Sequence, residues 1–136
     1  MRILRLLLLL LWPCMAWAQP ATIMTWNLLS FSENSADRVP HYRTVIDSMR
    51  PEILVVQEVE GPEAANYFYQ QVLTGSMAMA AFVDGPDSDN ALFYDSLVFA
   101  AVAMQALPTN LRNIGWFTLR HRASGDTLHV FSVHLK

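Results

Sequence analysis

Ile53-Leu54-Val55-Val56 is apolar at every position, the pattern of a strand buried on both faces rather than one with a wet side. Such a strand needs cover on each face, and the chain on either side of it supplies helices. Val39, Tyr42, Ile46 and Met49 recur at i, i+3, i+7 and i+10, one face of a helix. Asp37 is expected to cap that helix, with Pro40 in its first turn and Arg50-Pro51 ending it. A second helix is predicted behind Gly61-Pro62, where Ala65, Phe68, Tyr69, Val72 and Leu73 share a face and Gly75 closes it. Upstream, Thr22-Ile23-Met24-Thr25-Trp26 is β-prone and ends at Asn27, and residues 30–37 read as a loop. Strand, helix and strand in this order predict a parallel βαβ unit with a right-handed crossover.

Beyond Gly75 the pattern changes to strands. Residues 77–83 read as one, followed by a Gly/Pro/Asp loop over 84–89. Ala91-Leu92-Phe93-Tyr94 and Leu97-Val98-Phe99 flank Asp95-Ser96, which is expected to be a two-residue hairpin turn. Residues 116–120 and 127–133 flank a second turn containing Ser124-Gly125-Asp126. The fold class is therefore α/β with a mixed sheet, neither all-β nor doubly wound.

The N-terminus carries a separate message. Arg2 and Arg5 precede an unbroken leucine run over 6–11, Pro13 breaks it, and Ala16-Trp17-Ala18 has the small-x-small pattern of a signal-peptidase site. The run is too short for a permanent membrane span. Residues 1–18 are expected to be a cleaved signal peptide, leaving a domain over 19–136 that is exported, either secreted or periplasmic. Cys14, the single cysteine, leaves with the leader and lacks the preceding small residues of a lipidation signal, so the mature chain forms no internal disulfide. Losing Arg2 and Arg5 lowers the basic count from 9 to 7 against 12 acidic residues, a net charge of −5. That balance weighs against non-specific duplex DNA binding through a basic face, although a bound cation can supply local positive charge.

Three apolar strands end in polar residues: Trp26 runs into Asn27, Val56 into Gln57-Glu58, and Val133 into His134. Groups at the carboxyl ends of neighbouring strands converge on a crevice in α/β folds. An amide, a carboxylate and an imidazole gathered there suit an oxyanion substrate with a hard cation, and Mg²⁺ often takes only one or two protein carboxylates. Taken singly, each residue has a plainer role. Asn27 can satisfy backbone groups where a strand turns into a loop. Glu58 can be a solvated carboxylate beside an arginine, with Glu60 the ligand in its place, and His134 can be structural. Arg112 reads as a solvated loop arginine within reach of a phosphate. The acidic 84–89 loop does not match EF-hand spacing and reads as a polar turn.

Thr25-Trp26-Asn27-Leu28, then Val55-Val56-Gln57-Glu58-Val59, then Ser132-Val133-His134-Leu135 together resemble the endonuclease/exonuclease/phosphatase superfamily, which includes deoxyribonuclease I, abasic-site endonucleases, inositol polyphosphate 5-phosphatases and sphingomyelinases. The stretch 87–94 resembles the strand that opens with a site-facing polar residue in many members. The resemblance implies a four-layer α/β sandwich of two packed mixed sheets with helices outside. It implies Glu58 as the principal Mg²⁺ ligand, with Mn²⁺ or Ca²⁺ as alternatives, and Asn27 as a phosphate- or metal-orienting amide. It implies His134 as a catalytic group on the scissile phosphate, and Asn90 or Asp89 as a support near that histidine. The expected partner is a phosphate ester: nucleic acid, a phospholipid head group or a small phosphoester.

The superfamily pattern also contains a later Gly-Asp-x-Asn and a C-terminal Ser-Asp-His, and neither occurs in these 136 residues; Gly125-Asp126-Thr127-Leu128 lacks the asparagine. The chain is therefore expected to be the N-terminal part of a larger hydrolase, inactive by itself and prone to aggregate through an uncovered inner sheet face. The competing reading is an exported binding domain that uses the scaffold without catalysis. A serine or cysteine hydrolase has little support, since the mature chain has no cysteine and no nucleophile elbow.

Overall fold

The computed structural model describes residues 20–134, so the expected signal peptide lies outside the described residues. The elements run β1 (Ile23–Phe31), α1 (Val39–Met49), β2 (Ile53–Val59), α2 (Pro62–Val72), β3 (Met77–Met79), β4 (Asp89–Asp95), β5 (Phe99–Leu107), β6 (Ile114–His121) and β7 (Thr127–Ser132), with a 3-10 turn at Glu33–Arg38 ahead of α1. They form a four-stranded mixed sheet in the order β1-β2-β4-β3 and a three-stranded antiparallel sheet in the order β5-β6-β7. The β1 and β2 strands are parallel, as the strand-helix-strand pattern predicts.

The apolar run in β2 is buried on both sides because its alternate residues enter two different cores. Leu54, Val56 and Val59 pack with Phe31, Tyr42, Ile46, Phe68 and Val72 between the first sheet and the helices. Ile53 and Val55 pack with Leu92, Phe99, Phe117 and Leu119 between the two sheets. The inner faces of the sheets thus cover each other, which corrects the expectation of an uncovered inner face. Among the described residues both helices lie on the first sheet, and the outer face of the second exposes Val102 at 57% and Phe131 at 53%. Three of the four expected layers are therefore present.

Several local expectations change. The residue ahead of α1 is Arg38, not Asp37, because the 3-10 turn feeds α1 directly and leaves no extended capping position. Met49 is 55% exposed; it ends α1, where Arg50 at φ 46° already turns the chain toward β2. The second helix stops at Val72 with Leu73 extended, so Gly75 (φ 69°) belongs to the turn that follows rather than closing the helix. Residues 77–83 pair only as far as Met79, with one further bond from the Ala80 amide to the Leu92 carbonyl at 2.9 Å.

The largest correction concerns Asp95-Ser96. A turn forms there, with the Val98 amide donating to the Asp95 carbonyl at 3.1 Å, but β4 and β5 enter different sheets. Local turn chemistry marks the reversal. The choice of partner is tertiary, because Leu92 and Phe99 both enter the core between the two sheets instead of pairing side by side. The β6–β7 hairpin forms as expected, with Gly125 at φ 79° in its turn.

Candidate active site

Strand pairing places Asn27 beside Gln57, and Gln57 beside Asn90. By alternation these three share the face that Val55 and Leu92 turn toward the second sheet. The same alternation would point Glu58 with Val56 into the helix-side core, where a carboxylate is costly. A bulge prevents that. Glu58 has φ 60°, and the register with β4 jumps from Gln57↔Asn90 to Val59↔Asp89. The extra residue hands the core position to Val59, which is fully buried, and turns the Glu58 carboxylate into the crevice. Opposite it, Leu29 (φ 55°) and Ser30 (φ 47°) form a matching irregularity in β1. Non-glycine residues rarely adopt such angles, and three of them meet at this point.

The carboxylate is held from two sides. Asn27 Nδ2 donates to Glu58 Oε1 at 3.0 Å, and the Ser30 amide donates to Oε2 at 3.0 Å. Asn27 is itself oriented by the Leu29 amide, which donates to its Oδ1 at 2.9 Å. Hydrogen bonding from Asn27 is the largest influence on the Glu58 carboxyl and lowers its pKa; desolvation opposes it, and the Ser30 amide, His134 and Arg112 add to the lowering. Glu60, the alternative ligand, is exposed beyond the strand.

His134 continues the alternation of β7, two residues past buried Ser132, and reaches the same point. Its Nε2 lies 3.4 Å from Glu58 Oε1 and 3.5 Å from Asn27 Nδ2. Asn27, Glu58 and His134 are therefore brought together. Asn90 lies one layer below: Ser132 Oγ donates to its Oδ1 at 2.9 Å, and its Nδ2 donates to the Asn113 carbonyl at 2.9 Å. Gln57 Nε2 completes the tie between sheets, 3.2 Å from Ser132 Oγ and 3.0 Å from Thr25 Oγ1.

Arg112 departs from its sequence reading as a solvated loop residue. Its Nη1 lies 2.8 Å from His134 Nδ1 and 3.2 Å from Nε2. The in-plane lone-pair directions of those two nitrogens diverge, so one group near both faces the ring rather than either lone pair. The Nε of Arg112 donates to Asp87 Oδ2 at 2.9 Å, with the Arg112 side chain only 18% exposed. Nothing in the sequence around Arg112 marks it; its place depends on the Asn90–Asn113 bond that seats its loop. Asp87, Gln57, Ser132 and Asn113 likewise carried no signal strong enough to single them out.

Asp89 turns to the 84–88 loop, not to His134. Gly85 lies so close that a Cβ there would stand 2.7 Å from Asp89 Oδ1. Asp89 Oδ2 is buried without a donor, and the neighbouring Asp84 carboxylate provides none unless one of the two is protonated. Burial pushes the Asp89 carboxyl up to about 6, with the Gly85 amide opposing and Asp84 and Asp87 adding to the rise. The folded pKa thus exceeds the unfolded value of about 3.9, so the folded state binds the proton more tightly. Asp89 contributes most below that unfolded value and loses its contribution as pH rises toward about 6. Asp89→Asn is expected to remove a slope of up to about 1.4 kcal/mol per pH unit in that window. Urea midpoints at several pH values for both proteins check this, and parallel curves would refute it.

The donor chemistry fits a hard cation. Each Glu58 oxygen accepts one hydrogen bond and keeps a further lone pair. Among the described residues no three His, Cys, Asp or Glu side chains are disposed around a metal position, so Glu58 would be a single protein carboxylate, a set that suits Mg²⁺ with its retained waters.

No family model matches the sequence, and no curated protein matches it. Solved structures do. A D. rerio TDP2 complexed with single-strand DNA product aligns with TM-score 0.62 and 17% identity over 85% of this chain and 46% of its own. The human Nocturnin catalytic domain with bound sulfate aligns with TM-score 0.61 and 21% identity over 86% and 51%. ANGEL2, a 2',3'-cyclic phosphatase, in complex with adenosine-2',3'-vanadate aligns with TM-score 0.62 and 14% identity over 85% and 41%. All three are members of the endonuclease/exonuclease/phosphatase superfamily, and the chain has the fold of that superfamily. It spans about half the length of the solved structures it matches.

Proposed function

We propose that the chain carries the metal- and phosphate-facing side of a divalent-metal-dependent phosphoester hydrolase that is exported after cleavage of residues 1–18. The single observation that carries the reading is the Glu58 bulge, which spends an unfavourable backbone angle to aim a doubly held carboxylate at Asn27 and His134. Strain of this kind concentrates at functional sites.

In this reading Glu58 holds the cation and Asn27 keeps the carboxylate in place. A bound Mg²⁺ supplies charge stabilisation to a phosphoryl oxygen. Arg112 keeps donors beyond the Nε used at Asp87, and these would face a phosphate oxygen beside the His134 ring. His134 contacts the scissile phosphate, and Asp87 holds the guanidinium in position. The groups that activate water belong to the Gly-Asp-x-Asn and Ser-Asp-His patterns, which these 136 residues do not contain. Nucleic-acid esters are the first substrate class to test, because the matched structures include one with single-strand DNA and one with an adenosine vanadate. Among the described residues no helix is long and apolar enough to cross a membrane.

The test uses the product of the complete reading frame. Oligonucleotides, a phosphocholine lipid and a small aryl phosphodiester are offered with Mg²⁺, then with EDTA, then with Mg²⁺ restored. Turnover of at least one class is expected to vanish with EDTA and return with the metal. Absence of turnover on all three favours the non-catalytic binding domain, and EDTA-resistant turnover would refute the metal role.

A further inference from the structure

We propose that Arg38 is a positioning residue whose guanidinium clamps the strained β1 segment in the one shape that presents its amides to Glu58 and Asn27. Leu29 and Ser30 both stand at positive φ, so nothing in their own conformational preference holds them there. Their two amides are the groups that orient Asn27 Oδ1 and Glu58 Oε2. Something on the other side of the backbone must compensate, and the carbonyls show what it is. Arg38 Nη1 donates to the carbonyls of Leu28 and Leu29, each at 2.8 Å, and Nη2 donates to that of Ser30 at 3.3 Å.

Three consecutive carbonyls, in the stretch where the β1–β2 register is interrupted, converge on one planar fork. The fork is itself fixed. Arg38 Nη2 also donates to Ser35 Oγ, and Nη1 lies 3.2 Å from the Tyr42 hydroxyl, which donates to the Leu28 carbonyl at 2.9 Å. Ser35 is buried and its hydroxyl accepts the Ser32 amide at 3.1 Å, so the 3-10 turn is tied in as well. The guanidinium stands 5.8 Å from the centre of the Phe31 ring and 5.9 Å from that of Tyr42. Arginine suits the task because its donors spread in a rigid plane, whereas an ammonium offers one point.

The role of the clamp toward a cation rests on the hydrolase reading; its role toward the backbone does not. The test therefore measures both on the chain as it stands. In Arg38→Met, which keeps an apolar stem, the Leu29 and Ser30 amides are expected to exchange with solvent roughly tenfold faster or more. The Val55 and Leu92 amides are expected to keep their protection. Mn²⁺ affinity, read by its EPR signal, is expected to weaken about 10- to 100-fold, as for other groups that orient a metal ligand. Arg38→Lys keeps the charge without the fork and should resemble Arg38→Met. It also provides the readout if the methionine variant fails to fold. Arg43→Met removes an arginine from the adjoining helix α1 and should leave both readouts unchanged.

Unchanged exchange at Leu29 and Ser30, equal loss at Val55 and Leu92, or full rescue by lysine would each overturn the clamp. Unchanged Mn²⁺ affinity in a parent that binds the ion would overturn its positioning role. A parent that binds no Mn²⁺ counts against the hydrolase reading, and the exchange pattern still decides the clamp.

Discussion

On the proposed hydrolase reading, Glu58→Gln is expected to lower Mg²⁺-dependent turnover of the complete protein by at least about 10³-fold, the equivalent of roughly 4 kcal/mol of transition-state stabilisation. The substitution preserves size and leaves the backbone bulge in place, so its effect is chemical. Asn27 Nδ2 and the Ser30 amide both donate to this carboxylate. A glutamine has only one acceptor oxygen, so one of those donors meets an amide NH₂ and loses its partner. The negative charge that would hold the cation disappears with it. Among the described residues neither Glu60, exposed beyond the strand, nor Asp89, which faces the 84–88 loop, is placed to take over. Steady-state kinetics across Mg²⁺ concentrations provide the check. Activity within tenfold of the parent at saturating metal would mean that the ion, if used, is held elsewhere.

How legible this site was in the sequence differs residue by residue. Asn27 and His134 stand where apolar strands run out, and the structure brings them together from the two facing sheets because β1 and β7 keep strict alternation up to those points. Glu58 is a different case. Its place at a strand end made it a candidate and resemblance to a known family favoured it, but period-two reasoning buries it with Val56, and only the bulge at φ 60° reverses that. Arg112 reads as a solvated loop arginine within reach of a phosphate, and its place beside His134 was not legible because it depends on a loop seated by Asn90 from another sheet. The same division holds for the fold. The βαβ unit and the β6–β7 hairpin follow from local pattern, whereas the assignment of β4 and β5 to different sheets is set by burial across the sandwich. Turn chemistry at Asp95-Ser96 is compatible with either outcome.

Phe68→Ala destabilises the protein by about 3–5 kcal/mol, the usual range for deleting a fully buried aromatic side chain. That is a large part of the roughly 5–15 kcal/mol that holds a typical domain together. Phe68 has no exposed surface and stands where three elements meet. Its ring lies 5.2 Å from Phe31 on β1, 5.4 Å from Phe93 on β4 and 5.7 Å from Tyr42 on α1. No single element can move in to fill the space, because each ring is held by the others and by its own backbone. The damage also reaches the crevice. Phe31 directly follows the strained segment of β1, and its carbonyl accepts the Glu60 amide at 2.9 Å, which closes β1 on β2 just past Glu58. A looser Phe31 therefore weakens the carboxylate's support as well as the core. Phe68→Leu keeps most of the apolar volume and should lose much less. Urea unfolding of both variants decides the matter, and a loss below about 1 kcal/mol in the alanine variant, small against the ordinary cavity cost, would mean that this aromatic cluster is not what joins helices to sheet.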